Sequence, residues 1–470
     1  MSEASASASQ TLTPERPLLS ARRLIAPLAL AQFICSFAGS NMNVMINDIS
    51  RDLDTTVKGV QTAITLFLLI MAILMIPCSK LTDRWGRKRC FNGGLALYGI
   101  GALLSAAAPN LGVLILGNSV FEGVGTAFLI PPVYILATLW FTDLTRRAWA
   151  FGVISGLGGI GAAAGPLIGG VITSAISWRA AFVFQALVIV TIVLLSRRLV
   201  DPLPRDPTRP FDAVGAVLSA VGMFFVVFGI LQAGSNNVLF VAFLAIGAAF
   251  LAAFFLFIRR REREGKEPLL STGLFRNRTC NLALITQNIQ WLVLLGTSFV
   301  VSVFLQEVRG YSAVKTGVIF TAATAGILVS SLAAARLAKK YPQRTLIVAG
   351  FVVTIVGIVI LLLLVRAWDG IAAFVPGLLL IGLGVGGMLT PSVNVVQSSF
   401  PEELQGEISG LSRSVSNLGS SFGTAIAGTI LVSVVANGIT AYAIAMITLA
   451  AFGLVGLVAA LRLPRHIERA

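Results

Sequence analysis

The sequence predicts an all-α polytopic membrane protein with fourteen spanning helices. Three observations lead there. Of 470 residues, 56% are hydrophobic and only 12% charged, whereas a soluble domain carries about 25% charged residues. Long apolar blocks recur between short polar breaks, each near the ~20 residues that cross a hydrocarbon core of about 30 Å. Lysine and arginine then fall on alternate loops, the pattern that sets topology. Helices are the spanning form because lipid offers no partner to bare backbone groups.

The blocks run near 24–46, 57–78, 91–108, 111–139, 149–173, 180–196, 213–233, 238–258, 280–305, 316–335, 345–365, 371–396, 407–433 and 438–461. An even number puts both termini on one side. Of 35 Lys and Arg, one set of alternate segments holds 28, the other loops hold six, and Arg413 lies inside a span. The 28 mark the cytoplasmic side, so both termini are expected there, in a multi-pass protein of the cell's inner membrane. Residues 1–23 read as a disordered Ser/Ala-rich tail with no cleavable signal, since the first apolar block is too long for one. The two longest inside links, 197–212 and 259–279, bracket a helix pair. The layout is thus a six-helix bundle over 24–199 and linkers with the inserted pair over 200–279. A second six-helix bundle over 280–461 and a cytoplasmic tail over 462–470 complete it.

Several functions are excluded at this stage. The net charge of +15 suggests a nucleic acid partner, but the basic residues sit at membrane edges without interleaved aromatic residues for base stacking. Cys35, Cys78, Cys90 and Cys280 lie in or beside apolar segments without paired spacing and read as small apolar fillers. No metal set, no cofactor and no nucleotide loop is expected. The sole histidine, His466, is in the tail, so an enzyme lacks its parts.

The two halves echo each other. Span 2 runs into Leu81-Thr82-Asp83-Arg84-Trp85-Gly86-Arg87-Lys88, and span 10 runs into Leu337-Ala338-Lys339-Lys340-Tyr341-Pro342-Gln343-Arg344. Span 5 has small residues at Gly161, Gly165 and Gly169, and span 13 has them at Gly419, Gly423 and Ala427. Two such halves suggest bundles rocking about a central site. In the loop after span 2, Gly86 permits a tight turn, Asp83 can accept from the open N–H groups of the next helix, and Arg87 can pair with Asp83. With Arg84, these residues form a conformational latch, or else simply an orientation-setting basic loop. Gly161, Gly165, Pro166, Gly169 and Gly170 form a flat ridge for close helix contact.

The string from Lys80 to Arg89 resembles the cytoplasmic signature of the major facilitator superfamily. The span 5 glycines resemble the antiporter signature of its drug-efflux branch. Trp178-Arg179, Phe211-Asp212, Pro268-Leu269-Leu270 and Leu305-Gln306-Glu307-Val308-Arg309-Gly310-Tyr311-Ser312 also match. Together they resemble the fourteen-spanner drug/proton antiporter family over nearly the whole chain. The resemblance implies the major facilitator fold, with an inserted helix pair between the bundles. The chain departs from it in two places. Ala38 stands where span 1 usually carries an aspartate. In span 4, the usual arginine is Ser119 and the usual glutamine is Glu122.

Nearly all acidic residues lie in loops, tails or helix ends, but Glu122 is about twelve residues into span 4, near the midplane at ~1.5 Å per residue. A charge there costs roughly 2.5–3.5 kcal/mol on insertion scales, so Glu122 is either the proton-coupling site or a neutral structural carboxyl. Asn118 lies one turn away and can hydrogen-bond it. Asn41 and Asn43 in span 1, Gln287, Asn288 and Trp291 in span 9, and Arg413 in span 13 complete the candidate substrate cavity with Asn118 and Glu122. The amides would otherwise bond between helices, and Arg413 would otherwise snorkel to the surface. Polar amides with one aromatic suit an amphipathic guest of low charge. The expected function is export of such a small molecule by a monomer in the lipid bilayer, in exchange for protons, with the proton gradient as its energy source. A proton-independent facilitator or importer is the alternative. A membrane enzyme or lipid-binding sensor is the reading from another class.

Overall fold

A computed structural model describes residues 18–464, apart from 142–143, 198, 203–206, 209, 233–235, 339, 369, 401–404 and 434–437. The expected tail thus lies outside the described residues up to position 17, as does His466. The first helix starts at Leu18 rather than 24.

Fourteen long helical rods are present among the described residues. The first half contains α1 Leu18–Asn41, α2 Val57–Trp85, α3 Arg87–Ala106, α4 Leu111–Trp140, α5 Leu144–Ala175 and α6 Trp178–Ser196. The inserted pair is α7 Ala213–Gln232 and α8 Asn237–Arg263. The second half contains α9 Arg278–Val303, α10 Ala313–Leu337, α11 Gln343–Ala367, α12 Val375–Ser398, α13 Gln405–Ser433 and α14 Gly438–Leu461. Twelve of the rods are long and apolar enough to cross a membrane. The other two are α3 and α13, and their sequences explain why. Arg87-Lys88-Arg89 opens α3, and α13 carries serine at 409, 412, 414, 416, 420 and 421 with Arg413 and Asn417. No described residue of α13 is exposed, so it needs no lipid-facing apolar stripe, whereas α3 exposes Ile100 and Leu103 and falls short through its basic start.

The rods begin where the side chains can cap them. Thr56, Asn110, Ser177, Asn277 and Ser312 each accept from the backbone N–H three residues on, and Asn236 accepts from Val238 and Leu239. These are the favoured N-cap residue types. Helix limits therefore follow caps and turns rather than the edge of apolarity. As a result α2 continues past the expected end at 78 to Trp85, stopping at Gly86, whose φ is 95°.

Two seams join the halves, α2 against α13 and α5 against α10. The α2–α13 seam is a row of hydroxyl-to-carbonyl bonds. Ser414 Oγ donates to Ala72 O at 2.5 Å and Ser421 Oγ to Thr65 O at 3.2 Å, while Gln61 Nε2 donates to Thr424 O and Ala425 O. Within each half a glycine ridge supports the wall. A Cβ on Gly161 would strike Phe33 O of α1, and one on Gly419 would strike Asn288 O of α9. Thus α5 leans on α1 as α13 leans on α9, the repeat that the paired glycines predict. The pair α7–α8 packs as a unit through Gly222, Gly229 and Gly247, and α7 touches both α2 and α13.

Candidate functional site: the central cavity

A cavity of about 90 Å³ lies between the halves, lined from α1, α2, α4 and α5 on one side and from α9, α10, α12 and α13 on the other. The lining is apolar at Leu68, Met71, Met75, Leu294, Phe320 and Ile381. It is polar at Gln32, Ser36, Ser40, Thr297, Ser298, Arg413, Ser416, Asn417 and Ser420, with the indole of Trp291 among them. Arg413, Ser416, Asn417 and Ser420 share one face of α13 because their spacing is three, four and seven residues. Arg413 does not snorkel away. Its NH2 donates to the Tyr134 hydroxyl of α4, and its guanidinium lies 4.5 Å from that ring's centroid. The Tyr134 hydroxyl donates to Gln32 Oε1 at 3.2 Å, and Gln32 Nε2 donates to Ser36 Oγ at 3.1 Å.

Both ends of the cavity are bridged. At the end bearing the Arg/Lys-rich loops, Lys80 Nζ of α2 meets Glu407 of α13 at 2.6 Å and Glu267 of the linker at 2.9 Å. Ser271 N donates to Glu407 Oε2 at 3.2 Å. At the opposite end, Asn43 Nδ2 donates to Ser298 Oγ at 3.3 Å, and Gln306 Nε2 donates to Asn43 O at 2.9 Å. Asn47 N donates to Gln306 Oε1 at 3.4 Å.

Of the eight residues expected to line the cavity, Trp291 and Arg413 do so. Asn43 joins the halves at one end. Gln287 Oε1 accepts from Ser412 Oγ at 2.9 Å and Asn288 Nδ2 donates to Val415 O at 2.9 Å, so both hold α9 to α13. Asn41 is buried beside Gly165 and Gly169, part of the small-residue ridge on which α1 rests. Asn118 and Glu122 are buried at the junction of α3 and α4. Asn118 Nδ2 donates to Glu122 Oε2 and Ser105 Oγ to Glu122 Oε1, each at 3.4 Å. A Cβ on Gly101 would lie 2.8 Å from Glu122 Cγ, so only glycine lets α3 come this close. Residues Ile115–Glu122 form a π-helical stretch, a widened turn that often marks functional positions. Nothing in the sequence marked it.

The latch residues come together. Arg87 NH2 pairs with Asp83 Oδ1 at 2.7 Å, and positive-φ Gly86 makes the turn between them. The first amide of α3, Arg87 N, donates to Asp201 Oδ2 at 2.8 Å rather than to Asp83. The reason is reach: Asp83 is still inside α2, while the 197–212 linker brings Asp201 under the open end of α3. Arg84 forms no ion pair among the described residues. A Cβ on Gly170 would strike Ala313 O and one on Gly317 would strike Pro166 O, so the end of the ridge serves the α5–α10 seam. The two linkers also meet. Asp212 Oδ1 accepts from Gly215 N at 2.9 Å and Oδ2 from Leu269 N at 3.1 Å, with Arg261 NH1 3.7 Å away.

Two halves related by internal repeat, closing on one central cavity, are the geometry of a carrier. Residues 28–424 match the family described as Major Facilitator Superfamily. The chain belongs to the major facilitator superfamily. Among its relatives in that superfamily are the puromycin resistance protein pur8 of Streptomyces alboniger, 31% identical over 85% of this chain and 80% of the relative. The multidrug efflux pump LfrA of Mycolicibacterium smegmatis is 29% identical over 90% and 82% respectively. A POT family transporter structure superposes with a TM-score of 0.67 at 16% identity, covering 93% of this chain and 94% of that one, which establishes the shared major facilitator fold.

Proposed function

We propose that this major facilitator protein exports an amphipathic organic compound from the cell by proton antiport, as a monomeric carrier in the cell membrane with both termini cytoplasmic. The central cavity carries this reading, since both halves line it and bridges cross at both ends. Breaking the Lys80–Glu407 bridge opens the cavity to the cytoplasm, and breaking the Asn43–Ser298 and Gln306 contacts opens it outward. The α2–α13 row of hydroxyl bonds suits such rocking, because each serine can exchange one carbonyl for the next at little cost. The resistance and efflux roles of pur8 and LfrA support the direction. Glu122 is the group proposed to exchange the proton. It lies outside the cavity lining, so its charge would act through the α3–α4 junction rather than by competing with the guest.

The second reading, a proton-independent facilitator, is favoured by that same placement and by Ala38. Flux into inverted vesicles with and without an imposed pH gradient separates the two. Antiport requires uptake to rise with an acidic interior and to collapse with a protonophore. Equal uptake under both conditions leaves the facilitator.

A further inference from the structure

We infer that the head-group site of the central cavity selects an organic anion, a carboxylate or an equivalent oxyanion on an apolar body. This rests on the export reading for its biological sense, but not for its measurement.

Arg413 is the one charged side chain among the described lining residues. It forms no ion pair among the described residues, and its hydrogen-bond partner is the neutral Tyr134. An arginine held in a low-dielectric site without a carboxylate attracts an anion from outside, and its planar fork matches a carboxylate's two oxygens. The carboxylate within the spans, Glu122, bonds to Ser105 and Asn118 instead. Tyr134 uses its own proton on Gln32 and so receives, rather than competes for, the guanidinium's hydrogens.

The neighbouring hydroxyls are committed to their own helix, and the remaining donors are few. Ser416 and Ser420 direct their hydroxyl protons to carbonyls of their own helix, at 2.9 and 3.2 Å. Thr297 Oγ1 is buried in the wall without a hydrogen-bond partner. Asn417, one turn from Arg413, faces the same space. Asn417 is thus the amide donor beside the cation, while Met71, Met75 and Phe320 supply apolar surface for the guest's body. A lipophilic cation meets the reverse of what it needs here, a fixed positive charge with no acid.

Binding to the full-length protein in lipid nanodiscs tests this, with 1-naphthylacetate, its neutral amide and tetraphenylphosphonium as probes. The expected result is saturable binding of the acid at least about tenfold tighter than of the amide, a factor typical of a charge-assisted pair. Arg413→Gln removes the preference and Arg413→Lys keeps most of it. An Arg413→Gln melting temperature in detergent equal to the parent's shows that the lost preference does not come from a disturbed fold. The inference is overturned if the acid does not bind saturably, if the amide or the cation binds as well, if Arg413→Gln keeps the preference, or if chloride alone displaces the acid. Absence of vesicle flux for the acid, with the binding preference intact, would sink the export reading and leave this one standing.

Discussion

Glu122 and Arg413 are two charged groups within the spans, and the fold keeps them apart. Glu122 sits behind α4 against α3, and Arg413 sits in the cavity against Tyr134. The proposed proton antiport, with Glu122 apart from the cavity, predicts separable defects. Glu122→Gln should abolish the dependence of flux on the pH gradient while changing guest affinity less than about threefold, read as Km against rate in proteoliposomes. Unchanged proton-driven flux removes Glu122 from the coupling. At the opposite end of the molecule, Asp48 follows ordinary linkage. Burial holds its carboxyl above the usual range, with Arg51 pulling the other way. A raised value in the folded state means the stability it confers is present at acid pH and lost as pH rises through that value. Asp48→Asn should therefore melt above the parent at pH 8, with the two converging at pH 4. The depth of Glu122 and the odd presence of Arg413 within a span were legible in the sequence. The face of Glu122 was not, because the apolar α4 has no polar stripe to fix its rotation, whereas the spacing of Arg413, Ser416, Asn417 and Ser420 already marked a polar face on α13.

The helices as elements were the most legible part, since length and apolarity against a 30 Å core leave few alternatives. Their starts are set by the caps Thr56, Asn110, Ser177, Asn236, Asn277 and Ser312, which block apolarity alone does not register. The roles of the amides were not legible. Gln287 and Asn288 read as guest contacts but bond α9 to α13, as most buried polar groups find partners, whereas Asn41 is buried against the α5 ridge with its amide unpartnered. The π-helical turn of α4 and the Asp201 cap of α3 depend on tertiary placement, which no local pattern encodes. Close approach gives the sharpest test at this scale. Gly101→Ala places a methyl 2.6 Å from Gly117 O and 2.7 Å from Glu122 N. Overpacking of this kind costs about 1–3 kcal/mol, visible as a lowered melting temperature in detergent. Gly93→Ala on the same helix, with open space around it, should show no such loss.

The whole molecule is a pair of repeats held by bridges at both ends, so removing one bridge should shift which end opens. Cys35 lines the cavity and reports that opening once Cys78, Cys90 and Cys280 are changed to alanine. Lys80→Ala in that background should raise the rate at which a cytoplasmic thiol reagent reaches Cys35 about fivefold, the effect of ~1 kcal/mol on the equilibrium. The charge exchange Lys80→Glu with Glu407→Lys should return the rate toward the parent. A disulfide formed from Asn43→Cys and Ser298→Cys should arrest flux until it is reduced. The repeat and the six-plus-two-plus-six layout were visible in spacing and charge, whereas the linker bridges from Glu267 and Ser271 were not, since loops carry no periodicity. The inserted pair has one further effect. Because α7 leans on both α2 and α13, one flank of the joint between the bundles is roofed over. Molecules dissolved in the bilayer thus meet that joint uncovered by the pair along α5 and α10, where Ile160, Val318 and Val329 face outward. A guest that arrives through lipid rather than through water would have a sidedness of approach, set by two helices that take no part in binding it.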